Sequence, residues 1–120
     1  LDETGIGLLL DISHARITAH SLGFSDKEYL SQLPTWRIRE MHIAGVHSMP
    51  GGELQDHLSM LDDDWSLLAW VLERIQRKEW GQPWLLAFEY GGVGSVFAWR
   101  SDPSIIAEQV PRLYAMIHPV

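Results

Sequence analysis

The sequence contains no cysteine, which excludes a disulfide framework, a thiol nucleophile and any thiolate-bound metal. A metal in this chain has to be held by imidazole and carboxylate. Basic residues are few: 9 Lys and Arg stand against 16 Asp and Glu, for a net charge of −7. Neither half carries a basic run, so the electrostatic footprint of a nucleic-acid or anionic-membrane binder is missing. Long apolar stretches are lacking too. Runs such as Ile6 to Leu10 and Trp84 to Phe88 fall far short of the roughly 20 residues of a membrane span, and no basic flank precedes an apolar region at the start. There is no Gly-x-Ser-x-Gly elbow, and Gly91-Gly92-Val93-Gly94 lacks the Lys-Ser/Thr of a phosphate-binding loop. These absences predict a soluble, cytoplasmic protein with neither nucleic acid nor membrane as partner.

What is present belongs to one folded domain over residues 1–120: 46% of residues are hydrophobic and 21% charged. The chain opens Leu1-Asp2-Glu3 without an initiator Met and reads like a piece of a longer protein. Ile6 to Ile12, GIGLLLDI with Gly5, has the pattern of a strand buried on both faces of a parallel sheet. After Gly23, Ser25 with Glu28 forms a capping box for a helix that stops before Pro34. Arg39 to Val46 is a second strand, and His47 to Leu61, with Pro50-Gly51-Gly52, reads as a long loop. Asp62 or Asp63 caps a helix from about Trp65 to Lys78, ended by Gly81. Trp84 to Tyr90 is a third buried strand, and Asp102-Pro103 opens a last helix through about Ile117. This alternation predicts an α/β fold, about three βα units of a (β/α)8 barrel. Three strands cannot close a barrel of eight; upstream sequence or a second chain has to supply the rest.

The three strands end alike, in Asp11 with His14, then His42, then Glu89, and the loop adds Asp56 and His57. In a β/α barrel, groups at the C-terminal strand ends face one mouth, where such folds keep their active sites. Aspartate, glutamate and neutral histidine bind divalent metals without thiolate help, and six candidates fit two or more metals better than one. Each has an ordinary explanation: an Asp after a strand is more often a helix cap or turn former, and a His in an apolar strand more often a core residue. Glu89 is the hardest to explain away, since a buried carboxylate without a partner costs several kcal/mol. His47, Trp99 and Arg100 are candidate substrate-binding residues at the same mouth, and His20 is a weaker one. His118 is expected at the surface. Trp65, Trp70 and Trp80, near or within a helix, are expected to pack against strands.

Taken in order, LLLDISHA, EMHIAGVH, QDHLSM and LLAFEYGG resemble the C-terminal half of the xylose-isomerase-like barrel superfamily. Within it the sequence is most similar to the domain-of-unknown-function 692 family (UPF0276), which includes the iron enzymes of methanobactin and related peptide biosynthesis. The most specific element is Glu40-Met41-His42-Ile43-Ala44-Gly45. The resemblance implies a cluster of two or three iron ions with Asp11, His14, His42, Asp56, His57 and Glu89 at matching ligand positions. It also implies oxidation of a substrate peptide with dioxygen, often with a partner protein presenting the peptide.

The sequence departs from the family in having Ser13-His14 where many relatives carry Asn after the first Asp. It also has Asp56 and His57 adjacent, without the usual intervening residue, so Asp56 or His57 serves as the additional ligand or as the catalytic acid/base. The ligands that the family places in its first strands are absent. Two other readings stay open: a sugar isomerase- or epimerase-like enzyme using manganese, zinc or magnesium, and a non-catalytic half-barrel that binds a second chain.

Overall fold

In the computed structural model, which describes residues 6–91 and 102–118, three parallel strands form the sheet on which everything else is mounted. Strand β1 is Leu8–Asp11, β2 is Ile38–Ile43 and β5 is Leu85–Phe88, in the order β1-β2-β5. The register aligns Leu10, Met41 and Leu86 across the sheet, and Asp11, His42 and Ala87 one residue further on. Because strand side chains alternate between faces, these two rows point to opposite sides.

The row of Leu10 and Met41 faces the core. Both join a buried cluster with Ile12 and Ala15, Leu30, Leu68 and Val71, and Leu113, drawn from helices α1 (Ile12–Leu22), α2 (Asp26–Ser31), α3 (Asp62–Gln76) and α4 (Pro103–Ile117). The other row is a finding against expectation. Leu9 is 50% exposed and Leu85 53%, so the sheet is not buried on both faces among the described residues. The apolar runs are those of a two-sided strand, but the helices here cover one side. The result is an open α/β segment; barrel closure is not seen among the described residues.

Helix α1 follows β1 without a loop, and the sequence reading missed it. Asp11 is its N-cap, its carboxylate accepting the backbone N–H of His14 at 2.9 Å. Gly23, at φ 77°, ends it in the left-handed conformation. The buried side of α1 is Ile12, Ser13, Ala15 and Ala19; beyond Ile12 these are small residues that leave little hydrophobic periodicity to read. Helix α2 starts as predicted, with Ser25 Oγ accepting the N–H of Glu28.

The segment expected to be a long loop is a hairpin. Strands β3 (Gly45–Ser48) and β4 (Leu54–Leu58) pair antiparallel, closed by a turn in which Met49 N–H donates to Glu53 O and Gly52 N–H to Met49 O, both 2.8 Å. Gly45 is indispensable there, because a Cβ on it would lie 1.7 Å from the carbonyl oxygen of Ser59. Helix α3 is capped by neither Asp62 nor Asp63. Its N-cap is Leu61, whose N–H donates to the carboxylate of Asp64 at 2.7 Å. It ends before Gly81, at Gln76, with Lys78 beyond it at φ 61°; Gly81 instead packs its backbone against Trp36 O. Helix α4 opens as predicted, with Asp102 capping Ser104 N–H. The side-chain amide of Gln109 fixes it to the chain before α3 by a reciprocal pair of bonds to the N–H and carbonyl of Met60, 2.8 and 2.9 Å. Trp65 is buried, and Trp70 meets Trp80 edge-on at 5.4 Å. No helix among the described residues is long and apolar enough to cross a membrane.

Candidate metal centre

The parallel register decides which side chains meet. Asp11 ends β1, His42 lies directly beside it on β2, and Glu89 follows β5 by one residue. The backbone N–H of Glu89 still donates to Ile43 O at 2.8 Å, which continues the ladder and delivers the carboxylate to the same face. One donor atom from each of Asp11, His42 and Glu89 falls within 4.8 Å of the others. Among the described residues this is the group of three acidic or imidazole side chains whose donors converge.

Both nitrogens of His42 face carboxylates. Nδ1 contacts Oε1 of Glu89, and Nε2 lies 3.3 Å from Oε1 of Glu40. Burial opposes the imidazolium, but the bond to Glu40 and the charges of Glu89, Glu40 and Asp11 outweigh it, so the ring titrates above the ordinary histidine value. Half-buried carboxylates converging on one imidazole form a cation-attracting corner. Asp11 commits one oxygen to its cap, Oδ1, which leaves the other for a ligand.

His57 approaches the corner from the hairpin. It stands on β4 at φ 63°, a conformation uncommon for a residue with a side chain. Its Nε2 lies 3.9 Å from Oε2 of Glu89 and 3.8 Å from Oδ1 of Asp56, and its carbonyl accepts the N–H of Gly91 at 2.8 Å. The hairpin thus brings Asp56 and His57 to the edge of the cluster, outside the set of three.

The remaining candidates go elsewhere. His14 sits in the first turn of α1 with its side chain exposed, apart from the converging donors. His47 Nε2 lies 2.8 Å from the Ser59 carbonyl, so the ring ties β3 to the chain just beyond β4. His20 is exposed in the last turn of α1, at the end of the helix away from the cluster. His118 is exposed and stacks on Tyr114 at 4.1 Å. Trp99 and Arg100 lie outside the described residues.

Two features escaped the sequence reading. Glu40 is part of the Glu-x-His element but was given no role, although a spacing of two on a strand puts it on the same face as His42. Arg16 bridges Asp26, at 3.1 Å, and the buried Asp64; nothing in the sequence pairs residues so far apart.

The donor set suits a divalent ion. Carboxylate and imidazole without sulfur match iron, manganese or zinc, and the strand ends carry them without help from flexible loops.

The chain is 36% identical over 77 residues to a UPF0276 protein of Caulobacter vibrioides, a match covering 61% of this chain and 28% of that protein. A UPF0276 protein of Rhizobium meliloti is 38% identical over 66 residues, 55% of this chain and 18% of the relative. One of Bordetella pertussis is 43% identical over 43 residues, 36% and 15%. The chain therefore spans well under two thirds of the relatives it matches. No solved structure gives a significant match. The family model described as RiPP precursor modification enzyme MbnB/TglH/ChrH matches residues 1–85, which take in β1, β2, the hairpin and α3. The chain belongs to the MbnB/TglH/ChrH family of RiPP precursor modification enzymes.

Proposed function

We propose that this chain contributes part of the metal centre of an enzyme that oxidatively modifies a precursor peptide, with Asp11, His42 and Glu89 as ligands of one divalent ion, iron in the first instance. The observation that carries this is the convergence of those three donors, within 4.8 Å, from the ends of three parallel strands. Asp56 and His57, beside Glu89, are the residues to complete the coordination of a further ion or to act as acid and base. A ring nitrogen near a carboxylate is suited to relay a proton. When bound, iron supplies a Lewis acid and a redox centre for dioxygen.

The open face of the sheet, with Leu9 and Leu85 flanking Glu40, supports a site completed by further barrel strands, from the same polypeptide or a second chain. A peptide presented there by a partner protein is the substrate this family membership favours. His14 is left out of the ligand set because its side chain is exposed on α1.

Elemental analysis of protein purified without added metal tests the assignment. Wild type retains iron, Asp11→Ala, His42→Ala and Glu89→Ala each lose it, and His14→Ala keeps it. Retention of the full metal content by all three strand-end variants would overturn the ligand set.

A further inference from the structure

Glu40 and His42 occupy alternate positions of β2 and so share a face of the sheet. In register, Glu40 lies between Leu9 on one neighbouring strand and Leu85 on the other. Its carboxylate therefore has apolar neighbours to either side along the sheet, and its ion-pair partner among the described residues is His42, 3.3 Å from Nε2. On the far side of the same ring, Nδ1 meets Glu89.

A neutral imidazole has one N–H and one lone pair, and the hydrogen bond made by one nitrogen sets which atom is free to coordinate. We propose that Glu40 is a positioning residue for the metal centre: it accepts the proton side of His42 at Nε2, fixing the ring's rotation and tautomer so that the Nδ1 lone pair faces Asp11 and Glu89. A carboxylate behind a coordinating histidine orients the ring and raises its basicity. Glu40 is held by the strand backbone at fixed register, so it is in place before any ion arrives. Without it, the ring keeps only Glu89, which draws the proton to Nδ1, the nitrogen that has to coordinate. This inference rests on the reading of Asp11, His42 and Glu89 as ligands, and adds that the residue two positions before the histidine sets the quality of the site.

Two measurements on the full chain separate the inference from that reading. The first is equilibrium titration with Mn(II) and Fe(II) under anaerobic conditions. Glu40→Ala weakens binding roughly 10–100-fold without changing the number of ions bound, and Glu40→Gln, whose side-chain carbonyl still accepts a hydrogen bond, recovers most of the loss. Unchanged affinity in Glu40→Ala overturns the proposal. Loss of an ion in Glu40→Gln as complete as in Glu89→Ala overturns it too, by making Glu40 a ligand.

The second is the ¹⁵N spectrum of the His42 ring in metal-free protein at about pH 9, above the histidine range. With a carboxylate at each nitrogen, wild type populates the Nε2–H tautomer, whereas Glu40→Ala, left with Glu89 at Nδ1, shifts to Nδ1–H; the same tautomer ratio in both overturns the proposal. If wild type binds neither ion, the metal-centre reading fails, and the ring spectrum still decides what Glu40 does.

Discussion

Replacing Asp64 by alanine removes one carboxylate that serves three elements at once. Asp64 is 1% exposed. It accepts the N–H of Leu61 at the start of α3, shares the N–H of Val46 on β3 between its two oxygens at 3.3 and 3.4 Å, and pairs with Arg16 of α1. In the alanine variant the Val46 N–H is left buried without an acceptor, at about 1–3 kcal/mol. The Leu61 N–H can turn to water. Arg16 keeps Asp26 but loses its buried partner. Removing one member of a buried pair costs roughly 3–5 kcal/mol in all.

Burial pushes the Asp64 carboxyl above its usual value, against the pull of the Leu61 and Val46 N–H groups and of Arg16. Ionisation is therefore itself unfavourable, and Asp64→Asn, which keeps volume and one acceptor, should lose about half as much. With a urea slope of roughly 2 kcal/mol per molar, the alanine variant unfolds about 2 M earlier than wild type. A folded-state pKa raised above the unfolded one contributes stability that is complete below the unfolded value and is lost as pH rises through the folded value. The gap between wild type and Asp64→Asn consequently narrows from acid toward neutral pH. A midpoint shift below about 0.5 M in Asp64→Ala would refute the buried-pair accounting, and a gap that widens toward neutral pH would refute the sign.

Metal affinity should fall with acidity earlier than at an ordinary histidine site. Glu40, Glu89 and Asp11 hold the His42 pKa up, and below that raised pKa each pH unit takes about tenfold from the apparent affinity, since the ligand must be neutral. Titrations at stepped pH check this, and an affinity flat from neutral to mildly acidic pH counts against His42 as a ligand. Gly45→Ala sets a Cβ against the Ser59 carbonyl and should separate β3 from the chain beyond β4, costing about 1–3 kcal/mol as overpacking does. Hydrogen exchange at Gly45 and Leu58 reports it, and wild-type protection there would show that the strands can shift to make room.

The alternation of elements was legible because burial leaves a pattern. LLLD and WLLAFEY are apolar runs broken by a polar residue near the end, and with the Glu-x-His segment they become the three parallel strands, on or just after which the converging donors sit. Local rules also placed the caps at Ser25 and Asp102, where a side chain bonds to backbone only two or three residues away. The same rules failed for α1, whose buried residues after Ile12 are small, and for β3 and β4, whose pairing is bent around Gly45 and His57. Turn residues such as Pro50-Gly51-Gly52 look alike in a loop and in a hairpin tip.

By itself the sequence determined the chemistry available: no sulfur donor, a surplus of carboxylate, and histidines near strand ends. Composition and short-range pattern suffice for that, because residue type fixes which ions can be held. Only the tertiary structure decided which of those side chains converge. Parallel register set Asp11 beside His42, the continued ladder delivered Glu89, and helix α1 turned His14 outward while spending an oxygen of Asp11 on its cap. Alignment between strands distant in sequence is a property of the packed sheet, and no spacing along one chain segment encodes it.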